Sequence, residues 1–285
     1  MAQAHHKDDD VLIRMKNAVD AAPSTADQYF RLFDDYLIHH VGKSVEKPEK
    51  LFAISDLHVD CPHDRHRNRR WLMQLPVRPN DAVIVAGDVC TGLKVLRKTL
   101  ATLIERFGAG VFYCPGNHEL WTHKGGKNSI QKLLEIFLLC DELGVHTTPT
   151  ELGDNLAIVP LQGWWMGDHE GASKRAKKGL SRKFDTMDSV CSWPPCIGDG
   201  NDKHNGHHKG ISNFFYAINE RALAQCNFGR ERFVVTFGHY VPSPVFVEGA
   251  PLEMMPVLCA GPTLASQIKR LGSAVHVFGH SHIVS

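Results

Sequence analysis

Five short segments of this 285-residue chain carry residue types that bind divalent cations, and each follows a short apolar run. Asp56-Leu57-His58 follows residues 51–54, and Gly87-Asp88 follows 82–86. Gly116-Asn117-His118-Glu119 comes after 111–113, past Cys114-Pro115. Gly238-His239 follows 233–237, and Gly279-His280-Ser281-His282 follows 274–278. Carboxylate oxygens and imidazole nitrogens together suit borderline ions such as Mn, Fe or Zn better than Mg or Ca alone. Glycine at or beside these residues permits sharp turns and close backbone approach. In extended chain, the i, i+2 spacing of Asp56 with His58, and of His280 with His282, points both side chains to one face. A single D-x-H or G-H-x-H is common by chance. Five such segments in order, each closing an apolar run, form a specific signal.

The elements that must position these residues follow from periodicity. The runs named above, with 156–159, are short, β-branched or aromatic and continuously apolar, as strands covered on both faces are. Helical spacing separates them. Leu96, Leu100, Leu103 and Ile104 mark a helix over 93–107 that Gly108 stops, and Leu133, Leu134, Phe137 and Leu138 mark another over 129–143. Ser212 is a candidate cap for a helix to about Cys226, and Pro262 opens a short helix to Leu271. Alternation of this kind predicts an α/β fold rich in parallel sheet, with ligands bound at the rim formed by the strands' carboxyl ends. Residues 1–48 read as a helical N-terminal extension packed on the outside of a domain spanning 49–285. Residues 170–210, with their basic run and Gly-, Asn- and His-rich end, read as a mobile surface insertion.

The blocks D-x-H, GD, GNHE, GH and GHxH, in that order over residues 49–282, resemble the signature of the calcineurin-like metallophosphoesterase superfamily. DLHVD, VAGDV, PGNHELW and HVFGHSH resemble a branch of it found in bacteria, algae and plants. The resemblance implies a β-sandwich flanked by helices (αββα), with two divalent ions at the sheet edge and Mn the first choice. It implies that Asp56, His58, Asp88 and His282 hold one ion, while Asp88, Asn117, His239 and His280 hold the other. His118 would be the catalytic histidine, stabilising phosphoryl oxygens or protonating the leaving group, as a hydroxide formed at the metals attacks phosphorus. Asn117, His118 and Trp121 would face the substrate, a small phosphorylated molecule. The family usually continues past GHxH with further strands, so a chain closing at Ser285 is expected to lack its C-terminal strands. A non-catalytic binding or scaffold protein on the same fold is the rival reading. Such relatives lose ligands or the GNHE histidine, and both are present here.

Other residues carry less. Asp60 is a candidate partner for His118 or His58, and Trp164, Trp165 and Asp168 are candidate pocket walls. His63, Arg65, His66, Arg67, Arg69 and Arg70 read as the solvated start of a helix whose inner face is Trp71, Leu72 and Leu75. With 43% hydrophobic and 22% charged residues the chain can bury a sizeable core, and a net charge of +1 carries no global basic field for nucleic acid. The eight scattered cysteines form no C-x-x-C pair, and no leader pattern or membrane-length apolar run is present. These features predict a cytoplasmic protein.

Overall fold

The structure, a computed structural model, describes residues 2–63, 65–108, 110–122, 126–165, 190–197, 206–226, 232–247 and 258–282. Among these residues eight strands form two sheets: β1 (Lys43–Val45), β2 (Leu51–Ile54), β3 (Ala82–Val85), β4 (Val111–Tyr113), β5 (Thr150–Leu152), β6 (Leu156–Pro160), β7 (Phe233–Phe237) and β8 (Val275–Val277). One sheet has the order β1-β5-β6-β7-β8, and the other is the parallel trio β2-β3-β4. Only β5 with β6 is antiparallel, because a tight turn joins that pair while helices cross over the others.

The apolar runs are continuous because each strand buries both faces. Ala82 and Ile84 of β3 meet Phe112, Ile158, Val235 and Phe237 in a cluster between the sheets. Val83 and Val85, one residue out of phase, join the larger cluster shared with the helices. That alternation is the αββα sandwich expressed residue by residue.

Among the described residues there are seven helices: α1 (Ala2–Asp20), α2 (Ala26–His40), α3 (Arg65–Gln74), α4 (Leu93–Phe107), α5 (Ser129–Leu143), α6 (Gly206–Ala224) and α7 (Pro262–Arg270). The ends of α5 show why the pattern was sharp. Asn128 Oδ1 accepts from the amides of Ile130 and Gln131, while Gln131 Oε1 accepts from Asn128 N at 2.9 Å. Gly144 closes the helix in the left-handed conformation, at φ 74°.

Three expectations change. The helices of residues 1–48 pack on α5 and α6, and their inner faces bury Met15, Tyr29 and Phe33, each 0% exposed, in the cluster that holds Leu133 and Phe137. Residues 43–45 also add strand β1 against β5. The helix assigned from Ser212 starts six residues earlier, and Ser212 is interior to it, its Oγ donating to Trp164 O at 2.7 Å. Within the stretch expected as a mobile insertion, Ile197 is buried in the core and Trp193 packs on it, while 206–210 begin α6. The basic run 174–183 and His204 lie outside the described residues. Among the described residues no helix is long and apolar enough to cross a membrane.

Phe33 packs edge-on against Phe137 at 5.7 Å and against Phe214 at 6.0 Å, joining α2 to α5 and α6. Phe33→Ala should cost about 3–5 kcal/mol through lost burial and a cavity. Urea unfolding should remain one transition with a lower midpoint. Two separated transitions would mean that the N-terminal helices fold independently.

Candidate active site

The five segments sit where strands end, and their backbones are locked together before their side chains meet. Beyond β2 and β3 the parallel ladder continues: Asp56 N donates to Gly87 O at 3.1 Å, His58 N to Asp88 O at 3.0 Å and Val59 N to Val89 O at 2.9 Å. Beyond β7 and β8, Gly279 N donates to His239 O at 3.0 Å. The two sheets meet at Asp56, whose carboxylate accepts from His280 N at 3.1 Å and from Ser55 Oγ.

Asp56, His58, Asp88, His280 and His282 have φ between 40° and 67°, and they are the only non-glycine residues with positive φ among those described. The extended geometry expected for Asp56 with His58, and for His280 with His282, is therefore replaced by left-handed turns. Each such residue costs about 1–3 kcal/mol and persists only where surroundings enforce it. Gly87, at φ 81°, lies so close to its neighbours that a Cβ would fall 2.7 Å from both Gly116 N and His239 Nδ1. No side chain fits there, which lets the Asp88 and Asn117 loops touch.

All seven residues expected as ligands come together. Asp56, His58 and His282 form one group, with His282 Nε2 at 3.2 Å from Asp56 Oδ1 and 3.3 Å from His58 Nε2. Asp88, His239 and His280 form a second, with His239 Nε2 at 3.3 Å from Asp88 Oδ2 and 3.0 Å from His280 Nδ1. Asn117 Oδ1 lies 3.1 Å from the same Nε2. His58 and His118 each approach Asp88 Oδ2, at 3.9 and 3.8 Å, so this buried carboxylate stands between the groups.

The donor set fits a cation. His239 Nδ1 lies 2.9 Å from Ala86 O and must donate to it, so the neutral ring turns a lone pair at Nε2 toward Asp88 and Asn117. Asp88 Oδ2, Asn117 Oδ1 and the Nε2 lone pair then face one another as acceptors, with His280 Nδ1 3.0 Å from that Nε2. Without an ion, a proton takes that place. Burial alone would lower the pKa of His239, but the Asp88 charge and hydrogen bond lift it to about 9. Burial likewise works to raise Asp88, yet His239 and the surrounding histidines hold it well below the usual carboxylate range.

His118 stands beside the cluster. Its amide donates to Asp88 Oδ1 at 3.0 Å, and its ring stacks on Trp121 at 3.8 Å. Burial pushes its pKa below the ordinary histidine value, with Asp88 pulling the other way. Asp60 contacts neither His118 nor His58 through a hydrogen bond. Its carboxylate accepts from Thr91 N at 2.7 Å, tying the first loop to the second. Trp164 is a core residue, packed on Trp193 and Tyr240. Asp168 and His123 lie outside the described residues.

Two residues at the site escaped the sequence reading. Glu119, 1% exposed, accepts from four backbone amides: Asp88 at 3.0 Å, Val89 at 2.6 Å, Cys90 at 3.0 Å and Gly116 at 2.8 Å. One carboxylate thus holds the Asp88 loop against the Asn117 loop. Burial and then the neighbouring Asp88 charge raise its pKa to about 7, against the pull of those donors. Lys132, also buried, reaches from α5 to Thr91 O at 2.8 Å and to Trp121 O. Glu119 was visible as the last letter of GNHE. For Lys132 nothing in the sequence distinguished a buried lysine from a solvated one.

A family model described as calcineurin-like phosphoesterase matches residues 49–284. The chain belongs to the calcineurin-like phosphoesterase family. It is 36% identical over 142 residues to the [acyl-carrier-protein] phosphodiesterase PptH of Mycobacterium tuberculosis (strain ATCC 25618 / H37Rv), a match covering 45% of this chain and 41% of that protein. The match therefore spans about two fifths of the curated relative's length. The crystal structure of phosphopantetheinyl hydrolase PptH from Mycobacterium tuberculosis is similar over 82% of this chain and 83% of that chain, with a TM-score of 0.62 and 27% identity.

Glu119→Gln puts an NH2 group where a carboxylate oxygen meets amide donors. It should cost about 2–4 kcal/mol, because buried N–H groups lose their acceptor. Thermal melts should show the loss, and metal analysis should show reduced retention of divalent ions. A variant of full stability and full metal content would remove Glu119 from the site's framework.

Proposed function

We propose that this chain hydrolyses a phosphate ester at a dinuclear divalent-metal centre. Asp56, His58, Asp88 and His282 hold one ion, Asp88, Asn117, His239 and His280 hold the other, and manganese is the first choice ahead of iron or zinc. The observation that carries this is the approach of His280 Nδ1 at 3.0 Å, Asn117 Oδ1 at 3.1 Å and Asp88 Oδ2 at 3.3 Å to the lone pair of His239 Nε2. The family to which the chain belongs points the same way, and against a scaffold that has lost its chemistry.

Divalent ions in such a site polarise a phosphoryl oxygen and lower the pKa of a coordinated water. This chain's residues do the rest. Asp88, shared between the two groups, fixes their separation. His239 is held in one tautomer by Ala86 O. His118 is not a ligand: with its pKa depressed by burial, its ring is neutral near pH 7 and offers an N–H to a phosphoryl or leaving-group oxygen. Trp121 sets the tilt of that ring by stacking on it, and its half-buried edge remains available to substrate. Asn117 contributes an oxygen without adding negative charge near the phosphate.

We take the substrate to be a phosphodiester, and specifically the link between a phosphopantetheinyl group and an acyl carrier protein, the class named for the relative PptH. The site mouth supports a protein-borne ester over a small molecule enclosed in a pocket, since the His282 side chain is 60% exposed at the rim. The absence of a disulfide among the eight cysteines supports action in the reducing cytoplasm.

Purified protein with manganese should hydrolyse bis-p-nitrophenyl phosphate, lose activity with a chelator and regain it when manganese returns. Asp88→Asn should lower kcat at least about a hundredfold, because it removes the charge both ions share. Equal silence of wild type and variant would overturn the hydrolase reading. If His118 protonates the leaving group, His118→Ala should lower kcat about 10²–10⁴-fold on an alkyl phosphodiester. The loss should be far smaller with p-nitrophenolate, which leaves unprotonated. Equal losses on both would assign His118 to phosphoryl oxygens instead.

A further inference from the structure

Helix α3 leaves directly from the first site loop and α4 from the second, Lys94 lying six residues after Asp88. Asn68 of α3 donates to Leu57 O, which ties the helix to the Asp56–His58 turn. Between α3 and α4 runs a groove with a cavity volume of about 300 Å3. Arg69, Lys94 and Lys98 line it over a floor of Leu72, Met73 and Val95, and no lining residue is acidic. Among the described residues none of these three cations is paired with a carboxylate, whereas Arg97, between the lysines in sequence, is bidentate to Glu142 at 2.8 and 2.6 Å.

The sequence assigned Trp71 to the inner face of α3, and the structure turns it outward. Trp71 is 46% exposed and Met73 57%, while Leu72 between them is buried at 2%. Met73 lines the groove beside Arg69, one helical turn away, whereas Trp71 falls on the other side of α3. Exposed Met and Arg side by side are enriched in protein interfaces. The cations select for a partner bearing carboxylates, and the apolar floor for one that also offers aliphatic side chains.

We propose that the α3–α4 groove docks an acidic segment of the carrier-protein substrate and brings its phosphodiester to the site rim. This rests on the carrier-protein reading above, and it adds the surface that selects a macromolecule over a small ester. Charge complementarity at such a surface acts mainly on encounter and specificity, so its loss raises KM more than it lowers kcat.

The test uses the full chain loaded with manganese, bis-p-nitrophenyl phosphate, and an acidic acyl carrier protein bearing phosphopantetheine. The triple variant Arg69→Glu, Lys94→Glu, Lys98→Glu should raise KM for the carrier protein about tenfold or more and leave hydrolysis of the small diester unchanged. Met73→Ala, which removes part of the groove floor, should act in the same direction. Added salt should raise the wild-type KM for the carrier protein and leave the triple variant's nearly flat. An unchanged carrier-protein KM in both variants overturns the groove. Equal losses on both substrates also overturn it, because the cations would then serve the reacting phosphate. If wild type cleaves the small diester but not the carrier protein, calorimetric titration of the two proteins decides. Binding that the triple variant loses keeps the groove and sinks only the substrate assignment, and no binding sinks the groove.

Discussion

The Asp88 carboxylate, 1% exposed, is a charge the fold has taken out of water, and most of the site is arranged around that fact. An isolated buried carboxylate costs several kcal/mol, so its position is tolerable only where positive charge and hydrogen-bond donors surround it. Its oxygens face the His118 amide and the His239 ring, with His58 and His118 imidazoles slightly farther out. Glu119 deepens the constraint, since a second buried carboxylate accepts from the amide of Asp88 itself. Two adjacent buried acids and a set of inward-facing lone pairs make a pocket whose natural complement is a cation.

The cost of holding that pocket is distributed over the backbone. Three turns hold the five strained ligand candidates, and each turn is clamped by something rigid: a continuing parallel ladder, the Glu119 carboxylate, or the Asp56 bond to His280 N. Behind these clamps the sandwich buries both faces of β3, so the loops cannot relax without disturbing two hydrophobic clusters at once. The N-terminal helices contribute at a distance. Gln131 on α5 donates to Val19 O at 2.8 Å, and Lys132, its neighbour, reaches the backbone beside His118. Packing in the core and placement at the site are thus linked through one helix.

Much of this was legible from residues alone where a local rule was decisive. The α4 and α5 boundaries followed from amphipathic spacing and terminal glycines, because caps and periodicity are properties of a few neighbouring residues. The strand runs were equally clear, since strands buried on both faces have no polar alternation to obscure them. Trp71 was misread because helical spacing around Leu72 and Leu75 defines an inner face only to within a residue. The partners of the helices in residues 1–48 stayed hidden for a related reason: an amphipathic helix declares that it has an apolar face, not what that face meets.

From the sequence alone came the identity of the seven clustered residues, their order along the chain and their kinship with a phosphoesterase family, because ligand chemistry resides in residue type and strand-end position. The tertiary structure alone decided how they meet. It set the left-handed turns at Asp56, His58, Asp88, His280 and His282, the single tautomer of His239, and the joining of two loops by Glu119. It also brought Arg69 and Lys94 to one groove from two separate helices. Each of these depends on contacts between residues far apart in sequence, and no local propensity encodes them.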